Sequence, residues 1–188
     1  MLAAGASRPA GGIARRRSHP AIRPAGPVQE GVPEPMSRIN ESIEVDVPVR
    51  TAYNQWTQFE DFPQFMEGVE RVVQIDDTTL QWTAEIAGKS KTWTARIVEQ
   101  EPDQRVAWQA VEGAPNAGTV SFRPENGGTR IDLELEVEPE GAVESAGEAL
   151  GFVSRRAKGD LERFKEFIES RGVETGAWRG EVRDGQTH

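Results

Sequence analysis

The chain reads as an α+β protein. The predicted architecture is a curved seven-stranded antiparallel sheet with two short helices and one long C-terminal helix over a cavity. Three observations predict it. One amphipathic strand is followed by two short helices, then by six more amphipathic strands and a single long helix. Four separate turn signals place the apolar residues of the strands on one common face. The last helix carries one apolar stripe. A curved sheet gripped by a single helix cannot fill its own middle, so this order of elements encloses an apolar space.

The first strand is predicted at residues 38–47, with Ile39, Ile43, Val45 and Val47 facing inward, and the same alternation turns Glu41 inward. Pro48 suits the first turn of a short helix carrying Val49, Ala52, Tyr53, Trp56 and Phe59 on one side. Phe62, Phe65 and Met66 form a second short apolar segment around Pro63, ended by Gly68. The remaining strands are predicted at residues 69–75, 80–87, 91–99, 105–111, 119–123 and 130–137. In the long helix, predicted from about 140 to 171, Val143, Leu150, Val153, Ala157, Leu161, Phe164 and Ile168 recur mostly three or four apart. Gly147 lies on that stripe and Gly151 one turn beyond it. Each glycine weakens a helix by about 1 kcal/mol relative to alanine, so they are read either as room for a guest or as plain tolerance.

The turns set the register. Gly88-Lys89 as a two-residue turn pairs Ala84 with Trp93 and Trp82 with Ala95, each indole opposite a smaller residue. Pro102-Asp103 pairs Ile97 with Trp108 and Ala95 with Ala110. Asn126-Gly127, the strongest hairpin signal, pairs Phe122 with Ile131 and Val120 with Leu133. A turn at Asp77-Thr78 pairs Ile75 with Leu80 and Val73 with Trp82, and so points Arg71 inward between Val69 and Val73. A bulge at Val72-Val73 would instead flip Arg71 outward. The opposite face collects Thr83, Glu85, Thr94, Arg96, Gln109, Asp132, Glu134 and Glu136, so the sheet is wet on one side and apolar on the other.

Composition bounds the rest. The 188 residues hold no cysteine, which excludes disulfides, thiolate nucleophiles and cysteine metal sites and suits a cytoplasmic protein. No apolar run approaches the roughly 18 residues of a membrane span. The net charge of −9 is uneven. Residues 1–36 carry five arginines against Glu30 and Glu34, while residues 37–188 carry 17 basic and 29 acidic side chains. An acidic domain is repelled by phosphate backbones and anionic membranes, so neither nucleic acid nor integral membrane contact is expected. Six prolines and five glycines in residues 1–36 predict a disordered leader, or an upstream extension with Met36 as the initiator. Arg15-Arg16-Arg17 is followed by no apolar segment, and Pro20, Pro24 and Pro27 forbid a transit-type helix. The domain is expected at 37–171 and a polar tail at 172–188, in which Trp178 either docks or belongs to a protein partner's site.

The chain from Ser37 to Arg171, about 135 of 188 residues, resembles the polyketide cyclase/dehydrase branch of the START-like superfamily. That branch also includes coenzyme Q-binding START-like proteins. The resemblance is carried by SIEVDVPVRTAYNQWTQFEDFPQFMEGVERV, WTARIVEQEPDQRVAW, GTVSFRPENGGTRIDLELEVEP and GDLERFKEFIESRG. It implies the helix-grip (START-like, Bet v 1-like) fold and a cavity. It implies no single function, because the superfamily spans lipid and sterol carriers, quinone-binding proteins, plant ligand carriers, aromatase/cyclases and a ribosome-association factor.

Candidate ligand-binding residues are Trp82, Trp93 and Trp108, whose broad rings suit planar or lipid-like guests, with Arg71, Tyr53, Phe122, Leu135, Gly147, Leu150 and Gly151. An inward Arg71 would grip a carbonyl, enolate or carboxylate, or pair with Glu41. Tyr53, the only tyrosine, is a candidate proton donor. No catalytic residue is expected of a carrier; in an enzyme Arg71 and Tyr53 would act. Both histidines, His19 and His188, lie in the tails, and Thr83 and Ala84 stand where an aromatase would carry a cavity arginine. No glycine-rich phosphate loop follows a strand, and no cofactor or metal is expected. Asp132, Glu134, Glu136 and Glu138 alternate about 7 Å apart, too far for a calcium cage, and read as a solvated face offset by Arg96, Arg123 and Arg130. The expected function is carriage or sensing of a small hydrophobic molecule such as a lipid, quinone or polyketide. The alternatives are a polyketide cyclase/dehydratase acting on a poly-β-keto chain, or a protein-interaction module with a vestigial cavity.

Overall fold

This computed structural model describes residues 37–188, except 87, 114–115 and 139–142, and not the side chains of 143–146. The predicted leader, Ala87 at the end of a strand and the predicted helix start at 140–142 lie outside the described residues, as does the side chain of Val143. The elements are β1 (Ser37–Val45), α1 (Val49–Trp56), a 3₁₀ turn (Phe59–Gln64), β2 (Val69–Gln74), β3 (Thr79–Ile86), β4 (Lys89–Glu101), β5 (Arg105–Glu112), β6 (Asn116–Glu125), β7 (Gly128–Val137), α2 (Val143–Arg171), β8 (Val182–Arg183) and β9 (Gln186–Thr187). The sheet runs β1-β7-β6-β5-β4-β3-β2, and β8 pairs with both β4 and β9. Among the described residues it therefore has nine strands rather than the seven expected, the extra two coming from the C-terminal tail. The helix-grip architecture is the one the pattern predicts.

Turn chemistry explains where the predicted register holds and where it slips. Asn126 and Gly127 both take positive φ (51° and 86°), and the hairpin pairs Phe122 with Ile131 and Val120 with Leu133 as expected. Between β4 and β5 the turn spans three residues, Pro102–Gln104, with Asp103 at φ 64°. A bulge at Val98 absorbs the extra residue, so Ile97 still faces Trp108 and Ala95 faces Ala110. Between β3 and β4 the pairing is displaced by two: Trp82 faces Trp93 and Ala84 faces Lys91. A two-residue shift keeps every side chain on its face, but it sets the two indoles opposite each other rather than opposite smaller residues.

The β2–β3 hairpin is the correction that matters. Asp76 accepts the N–H groups of Thr78 (2.9 Å) and Thr79 (2.8 Å), which stretches the turn. Val72 thus faces Trp82 and Gln74 faces Leu80, one residue out of the expected register. A one-residue slip exchanges faces. Val72 is buried, Arg71 is exposed beside Thr83 on the outer face, and a bulge at Glu70 returns Val69 to the inner face.

The inner face is divided. At one end α1, the 3₁₀ turn and the C-terminal half of α2 pack solidly. Tyr53, Phe65, Phe164 and Ile168 are fully buried there, and Trp56 stands edge-on to Phe62, Phe122 and Phe164 at 5.6, 6.0 and 5.1 Å. The tail closes this end from outside. Gln100 pairs with buried Val182, Gly185 N–H donates to the Val98 bulge carbonyl (2.9 Å), and Trp178 N–H donates to Thr57 Oγ1 (3.0 Å). Arg179 donates twice to Asp103 (2.7 and 2.9 Å) and once to Asn54 Oδ1 (2.8 Å). Trp178 is therefore packed on its own domain's core.

Candidate ligand cavity

At the other end of the inner face the helix and sheet do not meet. A cavity of about 540 Å³ lies between α2 from Ala149 to Leu161, the 3₁₀ region and the strands. Its size falls within the usual range for small-molecule pockets. Leu80, Ala84, Ile97, Val106, Leu133 and Leu135 form an aliphatic bed. Trp82, Trp93 and Trp108 rise from three neighbouring strands, and Leu150, Val153 and Phe152 close the space from the helix. Trp82 and Trp93 stack with centroids 5.8 Å apart and planes 9° apart, a direct consequence of their cross-strand pairing. The Trp82 indole N–H is buried with no acceptor among the described residues.

Polar groups enter the lining at few places. Lys91, Asn116 and Glu138 lie at strand ends, and Glu67, Arg156 and Asp160 lie where α2 meets the loop before β2. The latter three meet through the Glu67 backbone. Arg156 donates from Nε and Nη2 to the Glu67 carbonyl (2.9 and 2.5 Å), and Glu67 N–H donates to Asp160 (2.8 Å). Arg163 pairs with Asp160 and donates to the Phe65 carbonyl (2.9 Å). Burial pushes the Asp160 carboxyl above the usual aspartate range despite the N–H of Glu67 and the nearby guanidinium of Arg163. The seam between helix and loop is thus latched by two arginines from the helix. The arginine in the lining is Arg156 on α2, not Arg71 on β2 where strand alternation places one. The signal available was its place one residue before Ala157, beside the apolar stripe.

Of the candidate residues, Trp82, Trp93, Trp108, Leu135 and Leu150 line the cavity. Arg71 does not, being exposed on the outer face. Tyr53 and Phe122 belong to the packed end, in edge contact at 5.6 Å. Tyr53 does not line the cavity, and its hydroxyl accepts from Gln100 Nε2 (3.0 Å) and is pushed up to about 12 by burial, so it holds its proton at neutral pH. A Cβ at Gly147 would meet open space and one at Gly151 only Arg155 at 3.6 Å, so neither glycine marks a close approach. Glu41 faces α2 as expected, but accepts from Ser154 Oγ (2.5 Å) rather than from Arg71.

On the outer face Arg38 pairs with Glu134 and Glu136, and Asp132 pairs with Arg123 and Arg130. This acidic ladder is charge-compensated, with Arg38 in the place expected of Arg96. Among the described residues no cluster of metal-ligating side chains forms, and no helix is long and apolar enough to cross a membrane.

Residues 45–166 match the family described as polyketide cyclase / dehydrase and lipid transport. The chain belongs to that family. An uncharacterized 17.2 kDa protein from the melC2-rnhH intergenic region of Streptomyces lincolnensis is 56% identical over 149 residues, 78% of this chain and 99% of that protein. The fold is also that of the Zhui aromatase/cyclase from Streptomyces sp. R1128, with TM-score 0.61 and 18% identity over 76% of this chain and 99% of that one. A START superfamily protein from Mycobacterium smegmatis gives TM-score 0.56 and 18% identity, over 71% and 95% of the two chains. These solved structures establish the START-like fold.

Proposed function

We propose that this family member binds a small hydrophobic molecule in the cavity, as a carrier or sensor rather than an enzyme. The observation that carries this reading is the lining itself: about 540 Å³ walled by the indoles of Trp56, Trp82, Trp93 and Trp108, by phenylalanines and by aliphatic side chains. General acid–base chemistry needs a group that exchanges protons near neutrality, and its two candidates, Arg71 and Tyr53, do not line the cavity. The lack of cysteine suits a reducing cytoplasm. A second reading, turnover of a polyketide-like substrate, is favoured by one observation only, the raised carboxyl of Asp160 in the lining.

The test is uptake of the fluorescent probe 8-anilinonaphthalene-1-sulfonate by the native chain and by the cavity-filling variants Ala84→Phe and Ala157→Phe. Binding by the native chain and its loss in variants with native circular dichroism is the expected result. Equal uptake by all three would place the probe elsewhere and remove the reading. Asp160→Asn separates the two functions, because a carrier keeps its guest while a cyclase loses turnover.

A further inference from the structure

Trp108 stands out among the four cavity indoles for what lies beneath it. It pairs with Ile97 on one side and with Gly118 on the other. A Cβ placed on Gly118 would stand 2.4 Å from Trp108 Cζ2, 2.8 Å from Cη2 and 2.9 Å from Cε2. The six-membered part of the indole therefore lies flat on the backbone of β6. The φ of Gly118 is not in the left-handed region, so the backbone there does not demand glycine. Glycine inside a strand weakens it, and a common reason to find one is the close approach of another group. Here that group is the ring that forms the cavity floor.

We propose that Gly118, acting through Trp108, is the specificity-determining position of the cavity, and that it selects a guest built on a flat ring system rather than a single acyl chain. This rests on the binding function proposed above. With no side chain at 118 the indole is laid back into the sheet. Any larger residue would lift it into the space between the floor and the stacked Trp82–Trp93 wall. A flat guest gains ring-to-ring contact from such surfaces, whereas a flexible chain gains only area. A chain also bends around a raised floor, and a rigid ring does not.

The experiment is calorimetric titration of the native chain, Gly118→Ala and Gly118→Ala/Trp108→Phe with two probes matched in non-hydrogen atoms: menadione, a flat bicyclic quinone, and 1-dodecanol. The native chain is expected to prefer menadione. One added methyl in an apolar pocket should weaken menadione about tenfold while changing dodecanol less than about twofold. The second substitution, by shrinking the lifted ring, should recover part of the menadione loss. Should Gly118→Ala fail to fold, Trp108→Phe alone carries the test by erasing the preference for menadione. Equal losses for both probes, or none for either, would make Gly118 merely a packing residue and overturn the inference while leaving the binding function intact. Binding of neither probe by the native chain would instead remove that function and the inference with it.

Discussion

Replacing Arg179 tests whether the C-terminal tail is part of the fold. Its guanidinium reaches Asp103 through two hydrogen bonds, meets Asn54 Oδ1 at 2.8 Å and lies 5.8 Å from the centre of the Tyr53 ring. Two charges about 4 Å apart attract by about 1 kcal/mol in water and about 4 kcal/mol at an effective dielectric of 20. The side chains of Arg179 and Asp103 are 30% and 32% exposed, so solvent screening sets the pair near the lower limit. A coupling of about 1 kcal/mol follows. Arg179→Ala should cost more, about 2–3 kcal/mol, because it also leaves Asn54 Oδ1 and the Tyr53 face without their cation. At about 2–4 °C per kcal/mol, that is a loss of about 4–12 °C in Tm. The assay is a double-mutant cycle by urea denaturation with Arg179→Ala, Asp103→Asn and the pair. Asparagine is used because residue 103 sits at φ 64°, which asparagine tolerates and alanine does not. Asp103 is held below the usual aspartate range, chiefly by its hydrogen bond from Arg179. The coupling should therefore be complete above the ordinary aspartate pKa and fade as pH falls through the lowered one. Additivity within about 0.3 kcal/mol at neutral pH, or a single-mutant loss below about 0.5 kcal/mol, would refute the tail as a structural clasp.

Four further outcomes follow from the same geometry. Tyr53→Phe removes the acceptor of Gln100 Nε2 in a buried pair and should cost about 1–2 kcal/mol without altering probe binding. Because the Tyr53 hydroxyl is raised to about 12 by burial, its stabilising contribution is whole below about pH 10 and is lost as pH rises through 12, which ultraviolet titration checks. Gly68→Ala should destabilise by more than about 1 kcal/mol, since φ is 72° and Arg156 Nη2 lies 1.7 Å from where the Cβ would stand; thermal melts decide it. Arg71→Ala, on the exposed outer face, should change stability by less than about 0.5 kcal/mol and leave probe affinity untouched, and weakened binding would return Arg71 to the site.

The elements, their order and most of the inner face were legible because the strands alternate cleanly and Asn126-Gly127 admits one turn type. Trp82, Trp93, Trp108, Leu135 and Leu150 fell where alternation and helical spacing put them. What failed has local causes. Asp76 captured two N–H groups and lengthened a turn by one residue, which was enough to move Arg71 across the sheet. The seat of Trp108 on Gly118 depends on the meeting of β5 and β6, which no periodicity reports. The docking of Trp178, Arg179 and Val182 rests on pairing with residues about 75 or more positions away along the chain, beyond the reach of local pattern.

The most direct test of the central claim is mass spectrometry of the full chain, first purified under native conditions and then extracted with organic solvent. A stoichiometric apolar molecule, whose return to the stripped protein alters tryptophan fluorescence, is the result the cavity predicts. An empty protein that also ignores a panel of lipids, quinones and polyketides would contradict it.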